Sequence, residues 1–175
     1  MEGSILVLVG PKGAGKTTIG AFLERRYGVR FLRVEPIWIE HAKGTRDEYW
    51  EHRGYERVVA AVQRELESHK IVVIETTGAA ASTSAFLDAL RALARVTLVR
   101  ISCPESECLD RVRRRNANDH IPVSDDCVAE INAVACKVLL PFVATVQNTA
   151  PWDEVAAEAT WDPLLRTIRG EERSQ

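Results

Sequence analysis

The sequence predicts an α/β fold with a parallel sheet at its centre. Short apolar runs alternate with amphipathic stretches along the 175 residues. Continuous apolar runs are typical of strands buried on both faces of a sheet. The stretches between them supply the helical crossovers that parallel strands need. The sheet is predicted to contain five strands, at residues 5–9, 29–34, 71–74, 96–101 and 143–147.

Amphipathic spacing and capping residues predict the helices between these strands. The first covers residues 16–27 and ends at Gly28, a typical C-terminal stop. The region 47–69 is helical, and Gly54 inside it allows a division into two helices. The later helices are expected over about 84–94, from 104 to about 116, from 124 to a point before Pro141, and from about 151. Pro163 is expected to break the last helix or to start a short final one.

The composition is that of an ordinary globular protein. Hydrophobic residues make up 46% and charged residues 27% of the chain, which argues against intrinsic disorder. The net charge of -2 argues against a generally basic nucleic-acid binder. We expect one domain over residues 1–170, with a polar tail at 171–175.

The cysteines and the apolar runs predict a cytoplasmic protein without a membrane span. The first apolar run, residues 5–9, is too short for a signal peptide or a bilayer crossing. The four cysteines form no CxxC pair, which favours reduced thiols. We expect Cys103 and Cys136 to be buried, and the arginines that follow Cys108 could lower the pKa of its thiol.

The strongest motif follows the first predicted strand and opens the first helix. It fits G-x-x-x-x-G-K-[ST] at each defined position, with the residues Gly10, Pro11, Lys12, Gly13, Ala14, Gly15, Lys16 and Thr17. Backbone N–H groups of such a loop converge on phosphate oxygens, and the helix N-terminus adds partial positive charge. The motif predicts that Lys16 reaches the β- and γ-phosphates, that Thr17 binds Mg²⁺ and that Thr18 lies near the α-phosphate. A glycine-rich turn without a ligand is the alternative.

A phosphate loop that begins near residue 10 of a chain this short resembles the small P-loop kinases. This nucleoside-monophosphate kinase-like group includes shikimate and gluconate kinases, zeta-toxin-like kinases and small AAA-type kinases. The resemblance implies a three-layer α/β/α P-loop NTPase fold with strand order 2-3-1-4-5 and a small helical lid over about 111–124. It also implies ATP and Mg²⁺ as cofactors, and transfer of the γ-phosphoryl group to a small-molecule or nucleotide acceptor. We expect a monomer or a homodimer.

A second region that carries the resemblance is the end of the third predicted strand. Glu75 follows the apolar run and looks like a Walker-B carboxylate that holds Mg²⁺. The family places this strand beside the phosphate-loop strand, which would bring Glu75 close to Thr17. Glu75 could instead be the general base, or a capping residue on the surface, and residues 76–78 could bind the acceptor.

The third region is a run of arginines after the fourth predicted strand. Arg111 and Arg115 share one helix face, and Arg114 lies beside them. These positions match the lid arginines of the family, which implies that they stabilise charge on the transferring phosphoryl group. The alternative is a solvated helix face paired with Glu107 and Asp110.

The acceptor site is expected within residues 36–68 and at the end of the second strand. The resemblance implies that Glu35 accepts the proton of the acceptor hydroxyl, with Glu40 as a second choice. Arg46, Arg53 and Arg57 lie where relatives bind an acidic or phosphorylated acceptor. Aromatic residues in the segment could stack on a ring or belong to the core: Tyr49, Trp50 and Tyr55. Residues 147–150 and Trp152 match the family's adenine loop, and Trp152 could instead pack against the last helix.

Three functions remain open at this stage. The first is an ATP-dependent phosphotransferase acting on a small molecule. The second is a regulatory ATP-binding or ATPase protein, or a kinase that acts on a macromolecule. The third is a GTPase, which is disfavoured because no N/T-K-x-D motif for guanine is present.

Overall fold

The computed structural model describes residues 3–44, 46–114, 124–149 and 151–170. Within them, five strands form one parallel sheet: β1 (Ser4–Val9), β2 (Arg30–Phe31), β3 (Ile71–Thr76), β4 (Arg95–Ser102) and β5 (Ala144–Gln147). Their order across the sheet is β2-β3-β1-β4-β5, which confirms the predicted strand order.

Helices cover both faces of this sheet. They are α1 (Lys16–Tyr27), α2 (Glu35–His41), α3 (Trp50–Leu66), α4 (Thr83–Leu93), α5 (Glu105–Arg113), α6 (Asp125–Ala135) and α7 (Glu154–Arg169). Alternate residues of β1 point to opposite faces, as the two-residue period of a strand requires. Leu6 and Leu8 pack in a core that includes α1 and α7, whereas Ile5 and Val7 pack in a core that includes α3 and α4. The three-layer α/β/α prediction is therefore confirmed.

The register of the central strands brings the ends of β1 and β3 together. Leu8 lies beside Glu75, and Val9 lies beside Thr76. Because the strands are parallel, the residues that follow β1 and β3 leave the sheet at the same edge. The phosphate-loop motif and Glu75 consequently meet at the carboxyl edge of the sheet, where ligands bind in open α/β sheets.

The second strand is much shorter than predicted. Regular pairing covers only Arg30–Phe31 of the predicted 29–34, and helix α2 begins at Glu35. At the sheet edge β2 pairs with β3 alone, so few ladder bonds hold the chain in an extended form. Pro36 occupies the first turn of α2, where its missing N–H costs nothing. The apolar side chains of Ile37 and Trp38 then pack on the α3–α4 side of the core.

Two expected helix breaks do not occur. Helix α3 continues through Gly54, and α7 continues through Pro163. A proline inside a helix removes a hydrogen bond at a cost of about 3 kcal/mol. In α7, burial of Trp161 and Leu165 on either side of the proline offsets this loss.

Part of the chain cannot be compared with the predictions. Residues 115–123, which form most of the expected lid and include Arg115, lie outside the described residues, as does the tail at 171–175. Among the helices that the structure describes, none is long and apolar enough to cross a membrane.

Gly54 permits the close approach of α3 to the indole of Trp38. A Cβ at this position would come within 2.1 Å of the ring. The ring is also confined by Tyr55, whose centroid is 5.0 Å away. A glycine inside a helix is destabilising relative to alanine, and this contact explains why glycine is nevertheless found here.

Replacement Gly54→Ala is expected to lower the free energy of unfolding by about 1 to 3 kcal/mol, because the indole must shift. Denaturant unfolding measures the change. Gln63→Ala, at an exposed position of the same helix, is the control and should be nearly neutral. A more stable Gly54→Ala protein would show that helix propensity outweighs the contact.

Candidate active site

The phosphate loop joins β1 to α1 at the carboxyl edge of the sheet. Lys16 is 7% exposed, and its ammonium donates to the carbonyls of Gly10 at 2.7 Å and Pro11 at 2.8 Å. The loop thus closes around its own lysine. A cation held this way at a helix N-terminus gives the site the positive potential that phosphate binding requires.

Gly15 makes the turn into α1 in a conformation that suits glycine. Its φ is +84°, in the left-handed region. A Cβ there would come within 2.1 Å of the Asn148 side-chain nitrogen. Both the backbone and the neighbouring chain therefore require glycine at this position of the motif.

Asn132 of α6 holds the loop at Lys12. Its Oδ1 accepts a hydrogen bond from the Lys12 N–H at 2.7 Å, and its Nδ2 donates to the Lys12 carbonyl at 3.0 Å. The side chain is only 3% exposed. The sequence analysis did not identify Asn132, although an asparagine within an apolar helix is a signal, since asparagine is a poor helix former.

A second asparagine holds the other side of the loop. The Asn148 Nδ2 donates to the Ala14 carbonyl at 2.7 Å, and the Asn148 backbone N–H donates to Ser102 at 2.8 Å. Asn148 belongs to the predicted adenine segment, residues 147–150, of which Ala150 lies outside the described residues. Its side chain supports the phosphate loop directly. Trp152, also assigned to the adenine side, packs edge-on against Phe22 of α1 at 5.4 Å between ring centroids.

Arg111 connects α5 to the phosphate loop. Its Nη1 lies 3.2 Å from the Asn148 carbonyl and 3.4 Å from the Gly13 carbonyl, and its Nη2 lies 2.5 Å from Glu107. Arg113 pairs with Asp125 of α6 at 2.8 Å, and Arg114 caps α5 on the surface. The structure therefore brings Arg111 to the loop.

Thr17 and Glu75 lie in direct contact. The Thr17 hydroxyl is 3.0 Å from Oε1 and 2.9 Å from Oε2 of Glu75. Thr18 is exposed on the first turn of α1. A hydroxyl and a carboxylate are the oxygen ligands that Mg²⁺ uses beside substrate phosphates. Over the described residues, no group of three or more His, Cys, Asp or Glu side chains could hold a metal.

A cavity of about 400 Å³ extends from the phosphate loop to α2 and α3. Glu35 and Glu75 both line it, although they lie on different elements. The remaining walls come from the loop, α3, the segment after β3, α4 and α6: Lys12, Gly13, Lys16, Thr17, Val34, Trp38, Glu51, Tyr55, Val58, Thr76, Thr77, Ala79, Ala80, Phe86 and Ile131. Glu40, the second candidate base, is exposed and pairs with Lys43 at 2.5 Å, outside the cavity lining.

The aromatic residues of the acceptor segment lie in three different environments. Tyr55 is buried and lines the cavity, and burial raises the pKa of its hydroxyl. Trp50 stacks on His41 with 4.9 Å between ring centroids. Tyr49 is 60% exposed.

The cysteine predictions are partly wrong. Cys103 is buried as expected, but Cys136 is exposed because it caps the end of α6. Burial raises the pKa of the Cys108 thiol to about 12, contrary to the predicted decrease. Its side chain lies inside the core with Cys103, so the nearby arginines do not compensate for the lost solvation.

The two hydrogen bonds from Asn132 predict a role in nucleotide binding. Asn132→Ala would leave the N–H and carbonyl of Lys12 without their partner, which costs about 1 to 3 kcal/mol. We expect the affinity for a non-hydrolysable nucleoside triphosphate analogue to fall roughly tenfold, since 1.4 kcal/mol is a factor of ten. Calorimetric titration measures the affinity.

The matched control is Glu130→Ala, at an exposed position of the same helix. Asn132→Asp keeps the acceptor for the Lys12 N–H but loses the donor to the Lys12 carbonyl, so it should not restore the affinity. Unchanged affinity in folded Asn132→Ala protein would contradict the role.

Comparison with known proteins agrees with this geometry. The sequence matches the family model of the AAA domain over residues 5–136. Shikimate kinase from Halorhodospira halophila is 32% identical over 141 residues, which cover 75% of this chain and 74% of that protein.

Two solved structures share the fold. Shikimate kinase from Acinetobacter baumannii, in complex with shikimate, has a TM-score of 0.55 at 22% identity. The match covers 97% of this chain and 95% of the Acinetobacter chain. A gluconokinase from Sinorhizobium meliloti has a TM-score of 0.59 at 20% identity, with 98% of both chains covered. With the phosphate loop described above, these matches show that the chain belongs to the AAA-domain family and is a small P-loop kinase of the nucleoside-monophosphate kinase-like group.

Proposed function

We propose that this kinase transfers the γ-phosphoryl group of ATP, with Mg²⁺, to a hydroxyl group of a small molecule bound in the cavity. The observation that carries the proposal is the continuity of that cavity, which runs from Lys16 and Thr17 to Glu35. Phosphoryl transfer needs the donor phosphate and the acceptor hydroxyl in line within one water-poor site.

Each end of the cavity has a distinct role in this proposal. The phosphate loop and Lys16 bind the β- and γ-phosphates of ATP and offset their charge. Thr17 and Glu75 hold Mg²⁺, which neutralises negative charge on the phosphates when bound. Their mutual contact supports this assignment, because it brings the hydroxyl and the carboxylate together beside the phosphate loop.

Glu35 acts as the general base. Its carboxylate accepts the proton of the acceptor hydroxyl as the oxygen forms a bond to the γ-phosphorus, while the bond to the bridging β–γ oxygen breaks and ADP leaves. Helix α2 sets its position, because Glu35 lies in the first turn of that helix and Trp38 fixes the next turn against α3. The acceptor side thus consists of Glu35 and the α2–α3 region that follows it, in the predicted residues 36–68.

Arg111 has a supporting role at the other side of the loop. Its contacts with the carbonyls of Gly13 and Asn148 hold the loop and the segment after β5 together. Arg111 stays beside the loop and offsets charge on the bound phosphates.

The role of Glu35 is tested by Glu35→Gln, which keeps the shape and removes the base. We expect kcat for acceptor-dependent ADP release to fall about 10²- to 10⁴-fold, while the KM for ATP stays nearly constant. Coupled ADP release over a panel of hydroxylated acceptors measures both quantities.

The control is Glu40→Gln, on the same helix but outside the cavity lining. If Glu35→Gln and Glu40→Gln behave alike, Glu35 is not the base. Slow ADP release that no acceptor accelerates would instead favour an ATPase.

A further inference from the structure

The acceptor side of the cavity has an aromatic wall. This wall consists of Trp38, Tyr55 and Phe86, and Tyr55 lies between the other two. Its ring centroid is 5.0 Å from that of Trp38 and 4.4 Å from that of Phe86. All three residues line the cavity. They give the wall an apolar surface for an organic ligand and π systems that attract a cation placed above a ring.

Carboxylates complete the same side. Glu51 stands in the first turn of α3, and its Oε1 accepts a hydrogen bond from the Ser82 backbone N–H at 2.9 Å. This bond links α3 to the start of α4 and fixes the carboxylate at the cavity wall. Among the described residues that line the cavity, Glu35 is the other charged side chain outside the phosphate loop and Glu75.

The arginines expected to bind an acidic acceptor lie elsewhere. The guanidinium of Arg46 stacks over Trp50 at 4.8 Å, and Arg53 pairs with Asp47 at 2.9 Å. Arg57 is exposed. None of these three lines the cavity.

From the cavity, its aromatic wall and its carboxylates, we propose that the acceptor is a hydroxylated organic amine that binds as its cation. The inference rests on the proposed function and names the acceptor's chemical class. The ammonium group lies against Glu51 and the aromatic wall, and the hydroxyl group faces Glu35. An anionic acceptor would face the Glu51 carboxylate in a partly desolvated site, which is unfavourable.

Phosphoryl transfer to such an acceptor involves the same bond changes as in the proposed function, and the amine group takes no part in them. The hydroxyl oxygen gains the phosphoryl group and Glu35 takes its proton, so the product is an amine-bearing phosphate ester and ADP. Once Glu35 has passed this proton to solvent, its carboxylate repels the new dianionic phosphate, which favours release of the product.

The test combines binding and turnover. Calorimetry with a non-hydrolysable ATP analogue and Mg²⁺ gives affinities for matched compounds: glucosamine and kanamycin as amines, glucose and inositol as neutral compounds, gluconate and shikimate as anions. Coupled ADP release gives kcat/KM for the same set. The key variant is Glu51→Gln, which retains an acceptor for the Ser82 N–H and removes the charge. Glu56→Gln, exposed on the same helix, is the matched control.

We expect an amine to bind most tightly and Glu51→Gln to weaken its binding about tenfold or more, with Glu56→Gln unchanged. Three results would overturn the inference. An anion could bind more tightly than the amines, the amines could bind Glu51→Gln protein as tightly as the wild type, or no amine could bind. Amine binding without phosphoryl transfer would overturn the proposed function and leave the cation site standing. Turnover of an anion would overturn the inference and leave the proposed function standing.

Discussion

The clamp on the phosphate loop by two buried asparagines is the interaction on which the site depends. Asn132 binds both backbone groups of Lys12, and Asn148 binds the carbonyl of Ala14. Both partners are more than a hundred residues away along the chain, so the loop reaches its conformation only when β5 and α6 are in place. Satisfied polar networks of this kind are rigid, because leaving a buried member unpaired is costly.

The parallel sheet supplies the second constraint. Pairing of Leu8 with Glu75 in adjacent strands places the acidic side chain beside the start of α1, and the Thr17 hydroxyl meets it there. The edge strand β2 has one neighbour and ends early, which allows α2 to turn inward with Glu35 and Trp38. One sheet edge thus carries a phosphate site on its central strands and an acceptor side toward its margin.

The fold and the phosphate loop could be predicted from sequence because their signals are local. An apolar run, a glycine-rich motif and a helix lie next to one another, and Glu75 directly follows an apolar strand. The contacts of Asn132 and Glu51 could not be predicted in this way, since each partner lies far off in sequence. Position in the chain likewise does not tell which side chains meet the cavity, and the arginines at 46, 53 and 57 are outside its lining. Gly54 and Pro163 show packing overriding local helix preferences.

The central claim is that the phosphoryl group goes to a small organic hydroxyl compound. The most direct measurement incubates a cell extract and γ-³²P-labelled ATP with wild-type or Lys16→Ala protein. The label is then located after small molecules have been separated from macromolecules. The account predicts a labelled low-molecular-weight phosphate ester that forms with the wild type and is absent with the variant. Label found only in inorganic phosphate, or only in macromolecules, would contradict it.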